Sequence, residues 1–236
     1  MNFKSFLSVA VLATSAAGAW AAPITPTFTT FGTLAAATFG GSGIPNDTVA
    51  ITTTGNMTLG LTAHQRYSNP VVTNNGAGVF YAQAGIDIHA PSSASDPYAL
   101  WNFGFYAGGS VASYNYALYY DFDPAAGTEQ SAHGNVNIPW LLTAMFGLND
   151  SYNLGMNSLD GFVLSGTQPA FPTFDPTAFG EYTFALVASK NGQEAARTAI
   201  KVVVGNAPSN SVPEPASLAL AGIALIGLAA SRRRKG

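Results

Sequence analysis

The feature that most constrains the fold is a period-two alternation of residue types near the C-terminal end of the core. Every second residue from 182 to 188 is apolar, Asn191 and Gly192 follow, and a second alternating run occupies 199–204. Successive side chains of a strand point to opposite faces, so this period predicts strands. Asn-Gly between two such runs favours a type I′ turn, which needs positive φ at both central residues. The sequence therefore predicts a β-hairpin here.

The same alternation recurs earlier in the chain, with turn residues about every ten positions. Further strands are predicted at 27–39, 48–54, 57–67, 78–86, 99–107 and 113–122. Many short strands separated by turns predict an all-β sandwich, immunoglobulin-like or jelly-roll-like. The last hairpin resembles the closing hairpin of immunoglobulin-like bacterial surface domains. One short helix is predicted over 139–147, because Pro139 suits a first helical turn and Gly147 can end it.

Composition and charge exclude several classes of protein. Of the 236 residues, 47% are apolar and 9% are charged, and there is no cysteine. A chain so poor in charge is not expected to be disordered, and it cannot be a disulfide scaffold. Between residues 22 and 212, four cations stand against eleven acids. Nucleic acids are bound through clustered cations, so we predict no nucleic-acid partner.

The N-terminus has the pattern of a secretory signal peptide over residues 1–21. Lys4 precedes an apolar run at 6–19, and small residues stand at Ala19 and Ala21, where a signal peptidase reads its substrate. Cleavage is expected near Ala21 or Ala22. The segment that follows should enter an oxidising compartment, where its stability must come from its core and sheet hydrogen bonds.

The C-terminus combines three features in a fixed order. A linker at 207–211 leads to a proline-rich motif at 212–215, an apolar stretch at 216–231 and a basic tail at 232–235. The motif and the tail consist of Val212, Pro213, Glu214 and Pro215, and of Arg232, Arg233, Arg234 and Lys235. A helix over 216–231 rises about 1.5 Å per residue and is short for a hydrocarbon core of about 30 Å, but its flanking arginines can snorkel. We therefore predict a transmembrane helix, which would anchor the protein in the inner membrane before processing.

The topology predicted by the two ends is consistent. Positive residues favour the cytoplasmic side, so Lys4 and the basic tail would both remain there while the domain at 22–206 lies outside. The domain organisation is thus a signal peptide at 1–21, an exported β-sandwich at 22–206, the linker at 207–211 and a sorting signal at 212–236.

The tail resembles the PEP-CTERM sorting domain, in which Pro-Glu-Pro precedes a short transmembrane helix and a basic terminus. The resemblance implies recognition by exosortase, a membrane protease-transpeptidase, and sorting to the surface of Gram-negative bacteria that produce exopolysaccharide. The same tail is also described as the C-terminal domain of ice-binding proteins. The resemblance covers about the last 25 residues and carries no information about the core.

The core contains no recognisable catalytic motif. His64, His89 and His133 stand far apart in sequence, without the spacing of a metal-binding motif. Asp121 and Asp123 lie at a strand end on one side of the pleat and form a weak calcium candidate, although Pro124 interrupts an EF-hand pattern. We predict that the protein is not an enzyme and has no cofactor. A secreted glycan hydrolase remains an alternative, in which Asp121, Asp123, Asp160 or Glu181 would converge with a histidine in a cleft.

Aromatic residues are dense between positions 98 and 122. The sequence places them on two strands joined through residues 108–110, which predicts a hairpin with rings on both faces. One face should fill the core, and the other could present Tyr114, Tyr116 and Tyr119 as a stacking platform for sugars. We therefore expect an exported cell-surface or matrix protein, structural or adhesive and associated with exopolysaccharide, with a carbohydrate-binding module as an alternative.

Overall fold

The computed structural model describes residues 22–91, 96–109, 113–138, 148–156, 159, 166–171 and 173–205. The predicted signal peptide at 1–21, the helix predicted over 139–147, the linker and the sorting signal at 212–236 lie outside these residues. Within the described parts of the chain, no helix has the length and apolar character needed to cross a membrane.

The described residues form twelve strands. They are β1 (Thr30–Gly32), β2 (Val49–Thr54), β3 (Met57–Gln65), β4 (Thr73–Asn74), β5 (Val79–Gln83), β6 (Trp101–Gly109), β7 (Asn115–Tyr120), β8 (Gly134–Ile138), β9 (Leu148–Tyr152), β10 (Gly166–Thr167), β11 (Gly180–Lys190) and β12 (Gln193–Gly205). A 3₁₀ turn at Gln130–Ala132 precedes β8.

The strands form two sheets. The first sheet has the order β1-β2-β3-β6-β9, and the second has the order β10-β8-β7-β11-β12-β5-β4. All neighbours are antiparallel except β12 and β5, which are parallel. The prediction of an all-β fold is confirmed. The strand order differs from that of an immunoglobulin domain, which divides seven strands between sheets of four and three.

One hydrophobic core lies between the two sheets. Leu59 and Leu61 of β3 and Phe103 of β6 face Phe184 of β11 and Ile200 of β12 across it, and all five are buried. The rings of Phe103 and Phe184 stack with their centroids 4.4 Å apart. These contacts bury large apolar areas and join the two sheets directly.

The predicted closing hairpin is confirmed. Strands β11 and β12 pair in antiparallel register, and the turn between them has positive φ at both Asn191 (53°) and Gly192 (74°). These are the conformations that a type I′ turn requires.

The hairpin predicted from the two aromatic strands is wrong. Strand β6 pairs with β3 and β9 in the first sheet, whereas β7 pairs with β11 and β8 in the second. The chain therefore passes from one sheet to the other between these strands. Both strands direct rings into the same core, which accounts for the density of aromatic residues in this part of the sequence.

The long strand predicted at 27–39 is also wrong, because only Thr30–Gly32 forms strand β1. Phe39 (φ 48°) and Gly40 (φ 77°) adopt left-handed conformations that end any extended run. The loop at residues 33–46 instead lies on the outer face of the first sheet, where Phe39 and Ala37 are buried against Val49 and Ile51.

The segment at 22–29 crosses the outer face of the second sheet. Ile24 packs against Ala185, Val187 and Ala199 there. Thr27 exchanges two backbone hydrogen bonds with Ala199, at 3.0 and 2.8 Å. The chain then enters β1 at the edge of the first sheet, so this segment connects the two layers from outside.

Candidate functional site

The three tyrosines predicted as a sugar platform do not share an exposed face. Tyr116 is buried in the core, and its hydroxyl donates a hydrogen bond to Met57 Sδ of the other sheet at 3.5 Å. Burial raises the pKa of Tyr116 to about 12. Tyr114 packs at the margin of the same core, under the ammonium of Lys190. Tyr119 points to the opposite face, beside Ile24. The prediction of a platform from these residues is wrong because Tyr114 and Tyr116 lie on the core face of β7, whereas Tyr119 lies on its other face, against the Ile24 segment.

The calcium candidate does not assemble into a metal site. Asp121 Oδ1 accepts a hydrogen bond from the Asp123 amide at 2.9 Å, and Asp123 Oδ1 accepts one from the Ala125 amide at 2.9 Å. Both carboxylates are therefore used by a local turn. No group of three or more His, Cys, Asp or Glu side chains within the described ranges is arranged to hold a metal ion.

Asp121 instead belongs to a buried polar network with Thr183 and His133. His133 Nε2 lies 2.7 Å from Thr183 Oγ1 and 3.6 Å from Asp121 Oδ2. His133 Nδ1 lies 2.9 Å from the Glu129 carbonyl oxygen, so Nδ1 carries a proton. Burial raises the pKa of Asp121, although the neighbouring His133 opposes this effect. The side chains resemble a catalytic triad in type, but all three are buried, so we assign them to stability.

A cleft of about 490 Å³, lined by both polar and apolar residues, opens on the outer face of the first sheet. The loop at 40–45 forms one wall, and the end of β3 with the residues after it, at 64–67, forms another. Asn102 of β6, Ser151 of β9 and Met156 complete the lining. None of these residues was predicted as a site residue from the sequence.

The alternation of β3 and β6 places the polar residues of the cleft. The odd-numbered residues of both strands, such as Leu61 and Phe103, face the core, so His64 and Asn102 face outward. These two residues are direct partners in the antiparallel register. They therefore stand side by side on the outer face of the sheet.

Two glycines allow the loop at 33–46 to lie close to this face. A Cβ at Gly60 would come within 2.6 Å of Leu34 Cδ2, and a Cβ at Gly104 within 2.8 Å of Phe39 Cδ1. Asn149 of β9 fixes the loop, because its Oδ1 accepts hydrogen bonds from the amides of Thr38 (3.0 Å) and Phe39 (2.8 Å). Glycine inside a strand signals a close approach of this kind, so Gly60 and Gly104 were the available sequence clue.

His64 has one satisfied and one unsatisfied ring nitrogen. Its Nδ1 lies 2.8 Å from the Gln65 carbonyl oxygen and must therefore carry the proton. Its Nε2 is buried and has no hydrogen-bond partner among the described residues. Burial lowers the pKa of His64, despite the opposing hydrogen bond to Gln65. The ring is therefore neutral at neutral pH, with a lone pair on Nε2.

The positive charge of Arg66 beside the cleft is balanced by the carboxylate of Asp87. Arg66 Nε donates to Asp87 Oδ2 at 2.5 Å, and both side chains are buried. The Arg66 guanidinium lies 4.6 Å from the centroid of the Tyr67 ring and 4.9 Å from that of Tyr98. Arg66 is the one charged residue among the described residues that line the cleft, so the cleft and its supporting carboxylate have no net charge.

Comparison with known proteins identifies the tail. A family model described as the PEP-CTERM protein-sorting motif matches residues 211–235. No curated protein and no solved structure matches the chain. The C-terminal tail is therefore a PEP-CTERM sorting motif, as the sequence predicted. The motif implies export, a membrane-associated sorting step and processing by exosortase.

Proposed function

We propose that the protein is a non-enzymatic component of the bacterial cell surface or extracellular matrix that associates with exopolysaccharide. The observation that carries the proposal is the PEP-CTERM motif at 211–235. A signal peptidase releases the N-terminal segment, the tail holds the protein in the inner membrane, and exosortase processes the tail as the β-domain reaches the surface.

The placement of the acidic residues that the structure describes supports a non-enzymatic role, and Asp160 of the hydrolase alternative lies outside the described residues. Asp121 is the one carboxylate of the hydrolase alternative that meets a histidine among the described residues, and both side chains are buried. Glu181 forms an ion pair with Lys201 at 2.6 Å on the outer face of the second sheet. A glycoside hydrolase needs two carboxylates on either side of an accessible bond, and neither residue provides this arrangement.

The carbohydrate-binding alternative is favoured by a different observation, the uncharged cleft beside His64, which is lined by both polar and apolar residues. A domain displayed in a polysaccharide matrix can associate with it through such a site. The two proposals are therefore compatible, with the tail directing the protein to the matrix and the domain making the contact.

The sorting proposal is tested by replacing Pro213, Glu214 and Pro215 with alanine in the full chain and following the protein through cell fractions of an exosortase-bearing host. We expect the wild-type protein to leave the inner membrane, while the triple variant remains there at full length. A matched control replaces Pro208, Ser209 and Asn210 of the linker with alanine and should behave like the wild type. Identical processing and fractionation of both variants would contradict sorting through this motif.

Association with exopolysaccharide is tested in the same host after deletion of its exopolysaccharide synthesis. The protein should then appear in the culture medium rather than with the cells. Unchanged retention at the surface would contradict the matrix role while leaving the sorting proposal intact.

A further inference from the structure

We propose that the cleft on the outer face of the first sheet binds an uncharged sugar unit of a polysaccharide, with His64 Nε2 accepting a hydrogen bond from a sugar hydroxyl. This inference rests on the proposed association with exopolysaccharide and assigns it to a site. It places the contact on residues of β3, β6 and the loop at 40–45.

His64 provides the first argument. The residue is 6% exposed, lines the cleft, and leaves a buried Nε2 without a hydrogen-bond partner among the described residues. Leaving a buried polar atom unsatisfied is unfavourable, so a ligand group that donates a hydrogen bond to Nε2 gains binding free energy. Because Nδ1 holds the proton, Nε2 is an acceptor and calls for an O–H or N–H donor.

Asn102 provides a complementary donor. Its Oδ1 accepts a hydrogen bond from Asn153 Nδ2 at 2.8 Å. Asn153 Oδ1 in turn accepts a hydrogen bond from the Ala99 amide at 2.8 Å. This network fixes the orientation of the Asn102 amide and leaves its Nδ2 hydrogens as donors. An acceptor and a donor on neighbouring strands match a hydroxyl group, which both donates and accepts.

The remaining lining supplies apolar surface. Tyr67 is 67% exposed and adopts φ of 50°, a conformation that is strained for a bulky residue. Strain of this kind persists only where the surrounding structure maintains it, and it is concentrated at functional sites. Ile44, Pro45 and Met156 also line the cleft. Such surfaces suit the C–H faces of a sugar ring, while the polar atoms meet its hydroxyls.

The charges of the residues that line the cleft favour a neutral ligand over an anionic one. The guanidinium of Arg66 is already engaged by Asp87 and lies against the rings of Tyr67 and Tyr98. His64 is neutral, so the described lining offers no uncommitted cation for a carboxylate or a phosphate. Uronic acids and nucleotides would therefore be poor ligands.

The test uses the protein purified from its host and titrated with soluble polysaccharides. The probes are dextran, galactomannan and the host's own exopolysaccharide, with alginate as the polyanionic comparison. We expect binding to at least one uncharged polysaccharide. His64→Phe and Tyr67→Ala should each weaken it about tenfold, the effect of losing one hydrogen bond or one stacking contact.

Phe179→Ala is the matched control, since Phe179 is an aromatic residue of similar exposure, 65%, outside the cleft. It should leave the affinity unchanged. Tyr67 is exposed, so its variant tests the site even where His64→Phe impairs folding. The inference would be overturned by equal affinity in the wild type and the Tyr67 variant, by preferential binding of alginate, or by no binding to any uncharged probe. None of these results would affect the sorting proposal.

A second readout separates contact from structural support. The ¹⁵N resonance of His64 Nε2 should report an unprotonated nitrogen and should move when the bound polysaccharide is added. Affinity should stay constant down to about pH 6.5, the ordinary pKa of histidine, and fall only at more acidic pH, because burial lowers the pKa of His64. An unmoved Nε2 resonance at saturating polysaccharide would contradict the direct contact.

Discussion

At the scale of single residues, Arg66 and Asp87 form a buried ion pair beside the cleft. Both side chains are buried, at 8% and 0% exposure. Removing one partner of a buried pair leaves an uncompensated charge in the interior and typically costs 3–5 kcal/mol. The pair also positions Tyr67, because the guanidinium lies against its ring.

We predict that Arg66→Met lowers the free energy of unfolding by about 3–5 kcal/mol, measured by urea denaturation at neutral pH. Methionine retains much of the side-chain volume, so the loss reports the charge left on Asp87. The double variant with Asp87→Leu should recover part of the loss, because it removes the orphaned carboxylate. A single-variant cost below about 0.5 kcal/mol would show that the pair is not buried in solution.

The pH dependence of this contribution has a definite sign. Burial opposes ionisation of Asp87, but hydrogen bonds from the His89 amide and from Arg66 outweigh it and lower the pKa of Asp87. The folded protein therefore binds fewer protons than the unfolded chain in the acid range, and its stability there rises with pH. The contribution is complete above the ordinary aspartate pKa of about 3.9 and is lost as pH falls below it, through the folded pKa. The stability difference between the wild type and Asp87→Asn should shrink over that range.

At the scale of elements, the shape of the cleft depends on how the loop at 33–46 packs on the outer face of the first sheet. Gly104 lies under Phe39, and the loop continues directly into the wall of the cleft at 40–45. A change at Gly104 should therefore affect both stability and the shape of the cleft.

We predict that Gly104→Ala costs about 1–3 kcal/mol, because the new methyl group would lie 2.8 Å from Phe39 Cδ1 and 3.0 Å from Thr62 Cγ2. The matched control is Gly205→Ala, since a Cβ at this strand glycine has no neighbour within 4 Å. Urea denaturation compares the two variants. Equal costs for both would contradict the close seating of the loop.

The same elements explain which parts of the fold were predictable. The turn at Asn191-Gly192 was predictable because its conformation depends on local residues. The separation of β6 and β7 into different sheets was not, because aromatic residues on consecutive strands are compatible with a hairpin or with a crossover. Strand β9 has a polar interior and gives little period-two signal, and β8 alternates over only five residues. The pairing of His64 with Asn102 depends on register between distant segments, so no local pattern predicts the cleft, and Gly60 and Gly104 indicate only the close approach of a loop.

At the scale of the whole molecule, the described β-domain and the sorting motif occupy separate parts of the chain. The two sheets and the cleft lie within residues 22–205, whereas the sorting motif lies at 211–235. The exported region carries a strong excess of acids over cations, so its contacts with a matrix should rely on hydrogen bonds and apolar surfaces rather than on cationic patches. The neutral cleft agrees with that expectation.

We propose above that the tail routes this protein through exosortase to the cell surface. The most direct test is the intact mass, with both termini mapped, of the protein recovered from the surface of its native host. We expect a chain that begins near residue 22 and ends at or near the motif at 212–215. Recovery of the whole 24.3 kDa chain, with residues 1–21 and the basic tail still attached, would contradict it.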